Sequence, residues 1–446
     1  MRLIPTIPAL LLLGILLVAI VLGGLAMHVP GAANVGSEHL TDLFIAVMAV
    51  AAAVYLLAVA LVLHRAVPRS ALWWVLAVAI AIRLPLVFAP PFLSSDVFRY
   101  VWDGKVQGAG INPYLYLPID PALAPLRDDT IFPNVGRRES APTIYPPMAQ
   151  LIFAAVAQLS PTVTAMKAAM LAFEIVAMAA IVRLLDFSKL PRARVLIYAW
   201  NPLAAWSFAG NGHVDAAAIA MIALALLARG VRRDGLAGVI LGAAILVKFL
   251  PAVIAPALWR RWDWRMPTAC VVTIGALYAG YLGAGWRVLG YLPGYATEEG
   301  IEQGGGIWLL AGLAHLTTLP AAAPLLYLTL VAAGFAALSA AIALRGSVPA
   351  DRAEDLVRVA GNAAILGACA MVAISPHYPW YFVWLAVPAC IVPYRSVVFL
   401  SVAPLLLHRN PLDERFFWPS LFYLPAIVLA VLDFRRERTA RCPLAL

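Results

Sequence analysis

Residues 94–116, SSDVFRYVWDGKVQGAGINPYLY, hold the densest grouping of reactive side chains in an otherwise apolar chain. On a helix turning about 100° per residue, Asp96, Arg99, Tyr100, Asp103 and Gln107 fall on one face. Val97, Phe98, Val101 and Trp102 fall on the other. Such a helix is expected to lie along a membrane surface, holding two carboxylates and an arginine over whatever sits beside it. Either carboxylate suits a general base that takes a proton from an attacking hydroxyl. The competing structural reading is a helix capped behind Ser94-Ser95, with its acids paired to Arg99.

A second set of candidates lies at membrane depth. Arg83, Glu174 and Lys248 each fall within a strongly apolar stretch, where an unpaired ionisable side chain costs several kcal/mol. Arg83 and Lys248 therefore present themselves as ligands for an anion in the outer half of the bilayer, such as a lipid phosphate. The alternative is that they snorkel, or that either pairs with Glu174. Asn211, His213 and Asp215 sit at a helix start, where they could bind a sugar hydroxyl or cap the helix. In the turn at 375–381, His377 and Trp380 could meet a sugar ring, although Trp and Tyr at an interface are ordinarily belt residues. Asp128-Asp129 is the one adjacent acidic pair in the first long loop, and alone it is weak evidence for a metal. The chain lacks H-E-x-x-H, G-x-S-x-G and P-loop patterns. No metal and no cofactor are expected.

These residues have to be positioned by membrane helices. Of 446 residues, 63% are hydrophobic and only 12% charged, against about 25% charged in soluble domains. Mean hydropathy is +0.88. The reading is an all-α, polytopic membrane protein of about 12–14 spans, forming a single transmembrane domain over 1–446. The first span, 7–27, is expected to remain uncleaved. The net charge of +9 is explained by basic cytoplasmic loops, and nucleic acid is not an expected partner. Arg65 and Arg69, with the basic clusters at 229–233, 260–265 and 435–441, put the N-terminus inside and the polar excursion 90–162 outside. This parity requires 147–160, about 14 residues and too short to span, to lie at the outer interface or partly re-entrant. It also requires 235–259 to be two short helices meeting near Lys248 inside the protein. The four cysteines are scattered and form no disulfide or zinc framework.

An Asp-x-x-Arg-Tyr opening the first large loop, followed by Tyr145-Pro146-Pro147, resembles the GT-C superfamily of integral-membrane glycosyltransferases. The strings WDGKVQGAGINPY (102–114), YPPMAQ (145–150), NGHVDA (211–216), LVKFLP (246–251) and SPHYPWY (375–381) are similar to the bacterial polyprenol-phosphomannose-dependent α-mannosyltransferases. The resemblance implies an inverting hexosyltransferase, mannose being the sugar expected. Its partners would be a polyprenyl-phosphate sugar donor, a lipid or glycan acceptor and the membrane lipids. The active site would face the outside of the bacterial cell membrane. It puts the catalytic base at Asp96, with Asp103 as the alternative. Arg83, Lys248 and Arg99 are the candidates for the donor phosphate. Tyr100, Asn112, Tyr145, Asn211, His213, Asp215, His377 and Trp380 are those for sugar and acceptor. Two other functions compete, namely a transporter or flippase of a lipid-linked or anionic substrate, and a lipid-diphosphate-dependent glycan polymerase or ligase. Transporters commonly carry paired, interrupted repeats, and only one interrupted hairpin is visible here.

Overall fold

The computed structural model describes residues 6–26, 38–300, 304–344, 351–409 and 415–441. Arg2, Arg345, Cys442 and most of the 28–42 and 408–415 loops lie outside the described residues. Among those described the regular structure is all helical, with no strand. The protein is a polytopic helical membrane protein. Its main helices are α1 (Thr6–Leu25), α2 (Glu38–His64), α3 (Ala71–Phe88), α4 (Asp96–Gly108), α5 (Pro147–Leu159) and α6 (Val163–Phe187). They continue with α7 (Asp215–Gly230), α8 (Asp234–Ile245), α9 (Arg265–Ala279), α10 (Ala323–Leu344), α11 (Arg352–Ile374) and α12 (Phe417–Arg441).

Among the described residues, seven helices are long and apolar enough to cross a bilayer, or eight if α9 is joined to the turn at Leu282–Leu289 across a 112° bend. The count differs from the 12–14 read off the hydropathy because several apolar runs are broken into pieces too short to span alone. The run at 195–209 is the clearest case. It becomes Leu196–Ala199, Pro202–Ala205 and a π-helical turn at Trp206–Gly210, all buried within the protein. Irregular backbone at that depth is tolerated because protein surrounds it. The Asn201 side chain accepts from Leu203 N at 3.0 Å and donates to Ser401 O at 2.9 Å, satisfying groups that a continuous helix would have paired itself. The hairpin at 235–259 also breaks where expected, with α8 ending at Ile245 and a 3-10 turn beginning at Leu250.

Two short helices frame one end of the bundle. Helix α5 packs along α4, and Gly104 lets them touch, since a Cβ there would lie 2.4 Å from the Phe153 carbonyl oxygen. Contact with α5 and α6 buries α4 far more than a surface helix would be. Tyr100 and Trp102 are enclosed, and so are Arg99 and Asp103. The polar face therefore does not look onto open interface but divides between a cleft and helix α5. The start of α5 rests on the broken hairpin, with Met148 N and Ala149 N donating to Leu246 O at 3.0 and 3.1 Å. That bond brings the Tyr-Pro-Pro and Lys-Phe-Leu-Pro motifs, about a hundred residues apart in sequence, to one place.

Candidate active site

The first turn of α4, the hairpin break and the turn after α11 converge on a cleft of about 330 Å³. Asp96, Arg99, Tyr145, Lys248 and Trp380 line it, so it gathers five of the residues singled out in the sequence. It also takes Arg137 from the loop between α4 and α5, Tyr291 and Tyr295 from the segment after α9, and Tyr378 and Tyr381.

Asp96 is the first residue of α4. Its side chain keeps 36% of its surface open to the cleft, while dense protein surrounds the rest. Burial raises its carboxyl above the ordinary aspartate range, the nearby cations of Lys248 and Arg137 oppose this, and Asp215 adds to it. A proton acceptor whose basicity is raised in this way suits general-base chemistry. Lys248 reaches the cleft from the hairpin break. Its ammonium is held by Asp215 at 2.7 and 2.9 Å and lies 4.1 Å from the centre of the Tyr381 ring. Arg137 has φ +52 and forms a two-pronged ion pair with Glu298. Trp380 lies between two rings, stacked on Tyr378 at 4.8 Å and on His213 at 3.7 Å. Cations, one carboxylate and aromatic faces thus share a single space. That combination fits an anionic sugar ligand better than an apolar one.

Other sequence candidates stand elsewhere. Arg83 is not brought to the cleft. It is fully buried against Glu174, with Nε 2.9 Å from Oε1, and its Nη1 donates to Ala199 O at 2.6 Å. The pairing with Glu174 that competed with a phosphate role is the arrangement present. Asp103, the alternative base, is also off the cleft. Arg99 Nε binds its Oδ1 at 2.8 Å and Gln150 Nε2 its Oδ2 at 3.0 Å. Arg99 borders the cleft, but its guanidinium is engaged by Asp103 and by Ala141 O at 3.2 Å. Tyr100 packs behind the cleft wall, stacked on Phe153 at 4.5 Å and edge-on to Tyr145. Asn112 borders a separate groove with Gln107 and Tyr281. Asn211 is buried, its side-chain oxygen accepting from Phe92 N at 2.7 Å.

His213 is wholly buried and touches the cleft only through Trp380 and Asp96. Burial first, then Lys248 and His408, pushes its imidazole well below the ordinary range, so the ring is neutral. His377 lies outside the cleft, against Glu299, Arg415 and Gly306 O. Burial and Arg415 hold its pKa near 4, with the Gly306 carbonyl opposing them. Among the described residues no group of three His, Cys, Asp or Glu side chains could hold a metal ion. Asp128 pairs instead with Lys105 and turns its own loop through Thr130 N at 2.9 Å.

The residues missed by sequence reasoning are Arg137, Tyr291 and Tyr295. Arg137 comes from a loop, and Tyr291 and Tyr295 from the start and middle of a short helix, Leu292–Glu298, so their positions depend on distant contacts. One such contact is Tyr291 N donating to Thr143 O at 3.1 Å.

No curated protein and no solved structure matches the chain. Residues 8–263 match the MptA/B family profile, described as alpha-(1->6)-mannopyranosyltransferase, N-terminal domain. This stretch is more than half of the sequence and holds α1 to α8 together with Asp96, Arg137, His213, Asp215 and Lys248. The chain belongs to the MptA/B family of alpha-(1->6)-mannopyranosyltransferases.

Proposed function

We propose that the chain transfers a mannosyl group, with inversion, from a polyprenyl-phosphate mannose to a hydroxyl of a lipid or glycan acceptor. The reaction takes place at the outer face of the cell membrane. The observation that carries this reading is the cleft itself, where Asp96 faces a space walled by Lys248, Arg137 and aromatic rings. The acceptor oxygen attacks C1 of the mannose and the C1–O bond to phosphate breaks. The bonding pair leaves with the phosphate, and the hydroxyl proton passes to Asp96. Lys248 and Arg137 receive the charge that develops on the leaving phosphate. Inversion to an α product requires a β-linked donor, so base and phosphate lie on opposite sides of the sugar. The tyrosines that line the cleft offer faces on which the pyranose can rest. The basic clusters, which the positive-inside bias assigns to the cytoplasm, favour placing α4 and α5 outside.

The test is turnover of a short-chain polyprenyl-phosphate mannose by purified protein in detergent. General-base catalysis is worth about 10²–10⁴ in rate, so Asp96→Asn is expected to lower kcat by at least about 10²-fold while the protein still binds donor. An Asp96→Asn enzyme of near wild-type rate would exclude Asp96 as the base.

A further inference from the structure

We propose that His213 is a positioning residue for Asp96: its Nδ1–H donates to Asp96 Oδ2 and turns the other carboxylate oxygen toward the attacking hydroxyl. This inference rests on the reading of Asp96 as the base. His213 has no open surface, so it cannot touch a sugar. Its Nδ1 nonetheless lies 3.5 Å from Asp96 Oδ2. Neither ring nitrogen has a hydrogen-bond partner in the resting structure, and an unpaired buried nitrogen is costly. Contacts between catalytic groups often lengthen without substrate and tighten when it binds.

The plane of the ring is set from two directions. Trp380 stacks on it with 22° between the rings, itself stacked on Tyr378. The Asn-Gly-His turn seats it against the first turn of α4. Gly212 there has φ +73, and a Cβ on it would come within 2.8 Å of Val97 Cγ2. The Gly212 backbone thus packs directly on the Val97 side chain, next to Asp96 in the first turn of α4. Trp380, in the cleft wall, thus supports the ring that would hold the proton acceptor.

The groups facing Asp96 are Lys248, Arg137, Asp215, Tyr100, Tyr145, Tyr295 and Tyr378, and those influencing His213 are Lys248 and His408. Of this set, Lys248, Arg137 and a hydrogen bond from the Tyr145 side chain also favour the ionised carboxylate. Removing the imidazole donor leaves all three in place, so its effect can be read separately.

The experiment compares His213→Phe, which keeps a ring on Trp380 without a donor, with His213→Asn, whose amide nitrogen can stand near the Nδ1 position. In His213→Phe, kcat is expected to fall about tenfold or more. The acid limb of its pH–rate profile should rise by about one unit, because an undonated carboxylate is easier to protonate. Donor KM should stay within about twofold. His213→Asn should return the limb to within a few tenths of a unit of wild type. A wild-type limb in His213→Phe, or a raised limb in a folded His213→Asn, overturns the proposal; the second result remains decisive where the Phe variant fails to assemble. Asp96→Asn assayed alongside separates the two levels. If it is inactive while His213→Phe keeps the wild-type limb, only the positioning role is lost. If it is active, the base assignment falls and the positioning role with it.

Discussion

Replacing Arg83 by Met separates a structural ion pair from a substrate ligand. Arg83 and Glu174 are both fully buried, joined by contacts of 2.8 and 2.9 Å. Arg83 Nη1 also donates to Ala199 O at 2.6 Å and Ala79 O at 3.2 Å. Arg83→Met leaves the Glu174 carboxylate without its cation, and removing one member of a buried pair costs about 3–5 kcal/mol. Adding Glu174→Leu removes the stranded charge. What remains is chiefly the unpaired Ala199 carbonyl, worth about 1–3 kcal/mol. The double variant should therefore be more stable than the single one by about 2 kcal/mol, roughly midway between Arg83→Met and the wild type. Thermal unfolding of the three proteins in one detergent gives the ranking, and donor KM gives the functional test. If Arg83 serves only the fold, the double variant keeps donor KM within about threefold. A double variant no more stable than Arg83→Met would refute the pairing argument. One that is stable but has donor KM raised tenfold would return Arg83 to the phosphate site.

Gly212→Ala is expected to lower stability by about 1–2 kcal/mol, the usual cost of a Cβ in left-handed backbone, and to reduce kcat by displacing the first turn of α4. The cause is its φ of +73 with Val97 Cγ2 2.8 Å and Lys167 Cγ 3.1 Å from the new methyl, and a variant with wild-type melting and kcat contradicts it. For pH, burial raises the Asp96 carboxyl, so the ionised base is lost as pH falls through a value above the ordinary aspartate pKa of about 3.9. The acid limb of kcat/KM should lie above that value, and Lys248→Met, removing the strongest opposing charge, should move it higher; a limb at or below about 3.9 opposes the assignment.

Much of the frame could be read from residue order. The all-helical class follows from apolar runs, and the short lengths of 147–160 and 235–259 already require an interfacial helix and a broken hairpin. Helix α5 and the break between α8 and Leu250 occupy those places. The lining of the cleft was legible where a motif carries its own geometry, as at Asp96 and Lys248. It was not legible where a side chain's neighbour lies far off in sequence. Helical spacing puts Asp96 and Asp103 on one face, but Gln150 of α5 captures Asp103 while the cleft opens only beside Asp96. Periodicity identifies a face and says nothing of what covers each turn of it. Arg137 reaches the same space because Glu298 holds it from a segment about 160 residues further on. The count of long apolar helices among the described residues is lower than 12–14 for a related reason, since hydropathy registers that 195–209 is apolar but not that it breaks into pieces packed within the protein.

The buried charged residues divide by what they face rather than by type. Arg83 meets Glu174, and Lys167 is held by the carbonyls of Leu86 and Ala89 at the end of α3. Arg229 is enclosed with Asp355 at 2.8 Å and Asp234 at 3.7 Å. Each of these is covered by protein, and its free energy is settled within the fold. Lys248 is also paired, yet one side of it opens on the cleft. Pairing alone therefore does not decide which buried cation is structural. What sets Lys248 apart is a partner, Asp215, that neutralises it in the resting state together with an open side from which a second anion can approach. A phosphate arriving there meets a cation already desolvated and already oriented, so little reorganisation opposes its binding. On the proposed reading, the ion pair with Asp215 holds Lys248 fixed for a donor phosphate, whereas the pair with Glu174 leaves Arg83 with no open side.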